Sequence, residues 1–363
     1  MVADSPRRTD VAVLVTGGAG YIGSHTAVAL HEAGRRVVIL DDLSNASRAA
    51  VDAVRGLTTP DLAFVEGDAA DVGLVGEAID RYEVDEVVHF AAFKSVAESV
   101  ELPLAYFRNN LGSLLGVLAA MEDRGIRRLV FSSSCTVYGE PEVVPVTEAS
   151  PIGAVNPYGW TKLHGEQVLD AVAAAGGLDV MLLRYFNPIG AHPSGVIGED
   201  PTGIPTNLAA LLMQVALGRR DRLQVFGGDY GTVDGSAVRD YLHVVDLAEA
   251  HLAALDALTT RTGATAVNLG TGRGHTVLEL VRLAEEVVGH PIAHEVVARR
   301  PGDAGRIWAD PSLATEVLGW TAERDLRTML EDHWRWCESH PDGFADARTD
   351  PPRAPRLGGA PVS

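Results

Sequence analysis

The sequence predicts an α/β protein: a Rossmann-type doubly wound parallel sheet followed by a smaller C-terminal α/β lobe. Three observations predict it. Short, almost wholly apolar runs recur between longer segments of helical length; a glycine-rich turn follows the first of those runs; and the alternation breaks after about residue 187. Short apolar runs suit strands buried on both faces, the condition of a parallel sheet covered by helices.

The strand candidates come in order: VAVLVTG from Val11, RVVILD from Arg36, LAFVEGD from Leu62, DEVVHFA from Asp85, RRLVFSSS from Arg127 and VMLLRYFN from Val180. Helices are expected over 22–33, 73–81, 105–124 and 158–175. The last has a start signal, since Asn156 suits an N-cap and Pro157 the first helical position. After residue 187 the segment NPIGAHPSGVIGEDPTGIPTN, rich in glycine and proline, leads into less regular elements. They are read as a second lobe beside the C-terminal ends of the strands, where ligands bind in such sheets. The expected division is a mobile N-terminal tail at 1–9, a nucleotide-binding domain at 10–186 to which some later segments return, a second lobe at 187–341 and a mobile C-terminal tail at 342–363.

Composition narrows the function. With 46% hydrophobic and 22% charged residues the chain is ordinary for a globular protein. No apolar stretch is long enough to span a bilayer, and no apolar run follows the N-terminal arginines to make a secretory signal. A net charge of −19 argues against nucleic acid or an anionic membrane as partner. Cys135 and Cys337 are far apart and lack zinc spacing, so reduced thiols, no metal and a cytoplasmic enzyme are expected.

VLVTGGAGYIGSH places Gly17, Gly20 and Gly23 in a strand–turn–helix context. The first two let the backbone turn and approach a pyrophosphate, the third lets helix and strand pack closely, and the helix N-terminus faces the negative charge. The ordinary reading of such a turn is a tight β–α connection. Here a second strand ends in Asp41, 21 residues after Gly20, where a carboxylate bonds the adenosine ribose; otherwise Asp41 is a cap. Asp42 beside it repels a 2′-phosphate, so the expected cofactor is NAD and not NADP. Asp68 is a candidate for the adenine amine, or a loop cap.

Only two of the 30 basic residues are lysines, Lys94 and Lys162. In NPYGWTK, Tyr158 and Lys162 stand at i and i+4 on one helical face. A phenol with pKa about 10 is a poor base near neutrality. A nearby ammonium, with the positive nicotinamide, would stabilise the phenolate. Lysine is a compact point charge, and the wider, planar arginine does not replace it freely. Ser132, Ser133 and Ser134 close the fifth strand, where one hydroxyl could bond a substrate oxygen. A Tyr-x-x-x-Lys spacing alone means little, and most strand-end serines satisfy backbone. The weight lies in finding them together.

These residues are the signature of the extended short-chain dehydrogenase/reductase family, which the chain resembles. HFAAFKSVAESV, FSSSCTVYG, NPYGWTKLHGE, LLRYFNPIGAHPSGVIGEDP, GIPTNL, VRDYLHVVDLA, NLGTG and RRPGDAGRIWAD extend the likeness from about residue 11 to 341, most closely to members that invert C4 of UDP-hexoses. The resemblance implies a catalytic set of Ser134, Tyr158 and Lys162. It implies an NAD site of Gly17, Gly20, Tyr21, Ile22, Gly23, Asp41, Asn45, Asp68, Phe90, Ala91, Lys94, Asn109, Tyr158, Lys162 and Tyr185. It assigns substrate contacts to Lys94, Ser134, Tyr158, Asn187, Asn207, Gln224, Phe226, Arg239, Tyr241, Arg300 and Asp303. Two arginines suit a diphosphate and a phenylalanine a uracil face. Departures from the usual pattern are small: Ala92 where glycine is common, Asp42 where asparagine is frequent, and Trp160 and Thr161 within the tyrosine motif.

The implied reaction interconverts UDP-galactose and UDP-glucose. C4 is oxidised to a 4-keto sugar, the sugar swings about its diphosphate, and re-reduction occurs on the opposite face. The competing reading is a nucleotide-sugar 4,6-dehydratase or another extended relative acting on a UDP-sugar. A dehydratase of this family carries Asp-Glu where this chain has Cys135 and Thr136, neither an acid–base group for eliminating water at neutral pH. A non-catalytic NAD-binding relative often loses the tyrosine or lysine, and both are present. The resemblance also implies a homodimer through a four-helix bundle of helices 105–124 and 158–175. It places Ile307 against the sugar, where a small residue admits a 2-N-acetyl group and a large aromatic excludes it. Bulky, β-branched Ile307 is expected to favour the unmodified hexoses, unless it is a core residue turned away.

Overall fold

A computed structural model describes residues 11–200, 205, 207–299 and 304–344. The six apolar runs form β1 (Ala12–Thr16), β2 (Arg36–Asp41), β3 (Ala63–Glu66), β4 (Glu86–His89), β5 (Arg128–Ser134) and β6 (Asp179–Tyr185). Later strands are β7 (Asn187–Ile189), β8 (Leu223–Phe226), β9 (Val238–Arg239), β10 (Tyr241–His243), β11 (Ala264–Leu269), β12 (His275–Thr276), β13 (His294–Val297) and β14 (Arg306–Ile307). The helices are α1 (Tyr21–Glu32), α2 (Arg48–Leu57), α3 (Val72–Tyr82), α4 (Val96–Glu101), α5 (Pro103–Glu122), α6 (Pro157–Ala174), α7 (Leu208–Ala216), α8 (Val244–Ala257), α9 (Val277–Val288), α10 (Ser312–Leu318) and α11 (Leu326–Ser339).

The central sheet has seven parallel strands in the order β11-β6-β5-β4-β1-β2-β3. Strand periodicity explains its two-sided burial. Val13, Val15 and Ile39 pack on one face with Val28 of α1, Val54 of α2 and Leu247 of α8. Leu14, Val38 and Leu40 pack on the other with Ile79 of α3, Val117 of α5 and Leu169 of α6. The strand order reverses between β1 and β4, and the loops after these two strands diverge at the switch point where such sheets bind ligands.

Helix ends follow local chemistry. Asn156 Oδ1 accepts from Gly159 N at 2.8 Å, with Pro157 opening α6 as the sequence predicts. α5 starts and stops two residues before the expected 105–124, because Pro103 opens it where a missing N–H costs nothing. β11 and α8 come from beyond residue 187 yet belong with the central sheet: β11 pairs with β6, and α8 packs in the cluster that includes α1. α7, β8, β10, α9 and α11 close around Leu212, Met213, Val225, Tyr241, Leu280 and Leu330. No helix among the described residues is long and apolar enough to cross a membrane.

Candidate active site

The glycine turn lies at the switch point. Gly17 adopts φ 70°, and a Cβ there would stand 2.7 Å from Ala91 N, in the loop after β4. A Cβ on Gly23 would stand 2.3 Å from the Gly17 carbonyl oxygen, so α1 could not pack on the turn with any other residue. Gly20 is the N-cap of α1 and has no side chain to satisfy the first-turn amides. These N–H groups and the helix dipole suit a pyrophosphate. The residues present therefore fit a dinucleotide. Tyr21 donates to Gly190 O at 2.6 Å and Ile22 packs against the core, so both brace the turn.

Asp41 does more than wait for a ribose. Its Oδ2 accepts from Ala19 N at 3.0 Å and its Oδ1 from Leu43 N at 2.9 Å, locking the glycine turn to the end of β2. Burial pushes its carboxyl up to about 6, against these amide bonds. Asp42 Oδ1 accepts from Ser44 instead. Asn45 is exposed beyond it. The exposed Asp68 accepts from Ala70 N at 2.8 Å, the turn-capping role that competes with adenine binding for its lone pairs.

Across the switch point, the Phe90 ring lies 4.7 Å from that of His251, and Ala91 O accepts from Ser113 Oγ at 3.0 Å. Asn109 donates to Asn110 Oδ1 at 3.0 Å. Asn110 itself accepts from Phe93 N at 2.8 Å and donates to Phe93 O at 3.0 Å and Thr161 Oγ1 at 2.9 Å. This buried amide ties the loop after β4 to α6, a role the sequence reading missed for its neighbour. Lys94 Nζ stands 3.0 Å from Glu199 Oε1.

Ser134, Tyr158, Lys162 and Tyr185 come together where β5 and β6 end beside α6. Ser134 caps the short turn Cys135–Tyr138, accepting from Thr136 N at 3.2 Å. Lys162, 4% exposed, donates to Ser132 O at 2.7 Å and lies 5.1 Å from the Phe131 ring centroid and 5.9 Å from that of Tyr158. Burial lowers it to about 7, against the attraction of Glu166. Burial also raises the Tyr158 phenol well above its ordinary value, with Tyr185 adding to the rise and the Ser134 hydroxyl opposing it. In the chain alone burial dominates; the expected phenolate depends on the ammonium together with a positive nicotinamide beside the phenol. Tyr185 is pushed up to about 12 by burial and hydrogen-bonds the Ser132 hydroxyl.

Beneath this group lies a buried network the sequence reading missed. Glu166 receives Arg184 through Nε at 2.9 Å and Nη2 at 2.6 Å, and also the Ser133 hydroxyl. Arg184 donates to Tyr138 OH at 3.0 Å, which donates to Asn268 Oδ1 at 2.7 Å. Ser132 thus serves lysine and Tyr185, Ser133 the network, and Ser134 the site. The only available signal was Glu166 at i+4 from Lys162 on a helix whose facing strand carries Arg184.

The second lobe supplies the remaining residues. Asn187 opens β7 with its buried Oδ1 unpartnered among the described residues. Asn207 Nδ2 donates to Pro188 O and Glu199 Oε2, both at 3.0 Å. Gln224 and Phe226 share the more open face of β8, while Leu223 and Val225 face the core. Arg239 aligns with Ile307 across β9 and β14 and donates to Val238 O at 2.8 Å. Tyr241 aligns with Asn187 and is buried in the lobe's core. Ile307 is 5% exposed among Val137, Phe186 and Ala309. Arg300 and Asp303 lie outside the described residues. No group of histidine, cysteine, aspartate or glutamate among the described residues could hold a metal ion.

The profile of the NAD dependent epimerase/dehydratase family matches residues 13–270. The chain is 52% identical to the UDP-glucose 4-epimerase of Bacillus subtilis (strain 168) over 338 residues, covering 93% of this chain and all of that one. It is 49% identical to human UDP-glucose 4-epimerase over 340 residues, covering 92% and 98%. The crystal structure of Bifidobacterium longum UDP-glucose 4-epimerase in complex with NAD+ and UDP superposes with a TM-score of 0.89 at 44% identity, covering 92% of this chain and 100% of that one. The glycine turn, the strand order and this likeness over nearly the whole chain agree: the chain belongs to the NAD dependent epimerase/dehydratase family.

Proposed function

We propose that this chain interconverts UDP-galactose and UDP-glucose, with NAD as its resident cofactor. The observation that carries the reading is the convergence of Ser134, Tyr158 and Lys162 beside the dinucleotide turn, in a chain about half identical to UDP-glucose 4-epimerases. NAD, when bound, supplies the redox chemistry, taking hydrogen with its electron pair from C4 of the sugar and returning it to either face of the 4-keto carbon. The chain's own residues handle the proton and the positioning. Tyr158 takes the 4-hydroxyl proton and gives it back, with Ser134 bonding the same oxygen. Lys162 supplies positive charge from beneath, held by Ser132 O. Asn187, Asn207, Gln224, Phe226, Arg239, Arg300 and Asp303 retain UDP while the sugar turns. Residues 10–186 carry most of the NAD site and 187–341 most of the UDP site.

The dehydratase reading is weaker. Burial pushes the Cys135 thiol up to about 12, and Thr136 is a hydroxyl, so neither moves the protons of water elimination near neutrality. A homodimer is supported by apolar side chains facing outward on the two long helices, including Leu115 of α5 at 53% exposure and Trp160 of α6. A four-helix bundle between two copies would cover them. Two free thiols support a cytoplasmic setting. The deciding experiment measures NAD content of the purified protein and follows UDP-galactose to UDP-glucose. Bound NAD with C4 inversion supports the proposal. Loss of water from the sugar, or no turnover with NAD bound, overturns it.

A further inference from the structure

Glu199 is an acidic residue in a site whose ligands are anionic, and neither the glycine turn nor the catalytic set accounts for it. Its side chain is 2% exposed. Each carboxylate oxygen takes one donor, and the two donors come from opposite halves of the site. Oε1 receives Lys94 Nζ at 3.0 Å, from the loop that follows β4 of the central sheet. Oε2 receives Asn207 Nδ2 at 3.0 Å, from the N-cap of α7 in the second lobe. The second Asn207 amide proton is spent on Pro188 O at 3.0 Å, so the side-chain carbonyl oxygen is the polar atom left for a ligand. The backbone of Glu199 is set independently. Trp336 Nε1 of α11 donates to its carbonyl at 3.4 Å, and a Cβ on the preceding Gly198 would fall 2.4 Å from the Trp336 ring.

We infer that Glu199 is a positioning residue that couples the dinucleotide half of the site to the UDP half by fixing Lys94 and Asn207 at once. The inference rests on the proposed UDP-sugar chemistry. A single carboxylate that accepts from both donors sets the distance between the two binding groups. A glutamine at this position accepts from one donor only and presents an N–H₂ group to the other.

The test is Glu199→Gln, with Lys94→Met and the double variant, on NAD-loaded protein. Affinity for UDP is measured by calorimetry, separately from turnover of UDP-galactose. Glu199→Gln is expected to weaken UDP binding about tenfold, in the range for a lost charged hydrogen bond, and to raise KM more than it lowers kcat. Its melting temperature should move by no more than a few degrees, on the scale of a single polar change. The double variant should lose less than the product of the two single losses, since both break one linkage. Normal UDP affinity in Glu199→Gln, or losses that multiply, overturns the coupling. Where Glu199→Gln does not fold, Glu199→Asp keeps the charge but cannot span both donors, and the same UDP measurement decides. UDP binding without turnover in the unsubstituted protein would overturn the proposed reaction while leaving the coupling to stand or fall on affinity alone.

Discussion

Lys162 offers a test in which charge and shape separate. Its ammonium is buried, 2.7 Å from Ser132 O and 5.1 Å from the Phe131 ring, which stacks on His89 at 6.1 Å. Arginine at this position keeps the charge but adds a planar group that the Phe131–His89 stack leaves little room for, and it stays protonated at any working pH. Methionine keeps the length and removes the charge. Both variants should therefore lower kcat by at least about 100-fold, the lower end for loss of a proton-transfer group's function. A stability measurement checks the burial argument independently. Lys162 titrates at about 7 in the fold and at about 10.4 unfolded. Between those values the unfolded chain holds a proton that the folded chain has released, so this residue's contribution to stability rises with pH across the window and is least favourable below about pH 7. The bound is about 1.4 kcal/mol per unit of pH. Urea denaturation at matched NAD content should find Lys162→Met stabilised relative to the parent below about pH 7, the advantage fading as pH rises through that window. An arginine variant within tenfold of normal kcat refutes the geometric argument, and a pH-independent stability difference refutes the electrostatic one.

Tyr158→Phe should retain NAD and fold while losing roughly 10²–10⁴-fold in kcat; single-turnover assays with UDP-galactose check it, and a loss under about tenfold removes Tyr158 as the proton carrier. Gly23→Ala sets a Cβ 2.3 Å from the Gly17 carbonyl, a backbone atom that cannot swing aside, so cofactor content should fall and the melting temperature with it. Ile307→Gly empties space among Val137, Phe186 and Ala309, costing about 2–5 kcal/mol by comparison with other large-to-small core changes. If Ile307 also bounds the sugar pocket, the kcat/KM ratio of UDP-N-acetylgalactosamine to UDP-galactose should rise about tenfold or more; an unchanged ratio makes it a packing residue alone.

The sequence made the first six strands legible because each carries a short apolar run, and the glycine turn legible because its constraint is local. What escaped it depends on contacts between distant segments. β11 begins with three half-buried residues and reaches the sheet only after a long excursion, so ATAVNL gives no sign that β6 is its neighbour. Asn109 and Asn110 are adjacent in a helix and chemically identical, but they point about 100° apart. Only Asn110 faces the Phe93 backbone and Thr161. Glu166 and Glu199 both read as ordinary charges until the fold brings Arg184 to one and Lys94 with Asn207 to the other.

Protonation state was the least legible property of all. Residue spacing identifies Tyr158 and Lys162 as a pair, but a pair on one helical face in water and a pair sealed against β5 are different acids. Burial raises the phenol and lowers the ammonium, opposite to what their mutual attraction would do. The helix spacing therefore predicts which groups meet, and the depth at which α6 packs on β5 decides their charge. In the proposed reaction, a positively charged dinucleotide bound at the glycine turn would add a second cation near the phenol and favour its ionised form.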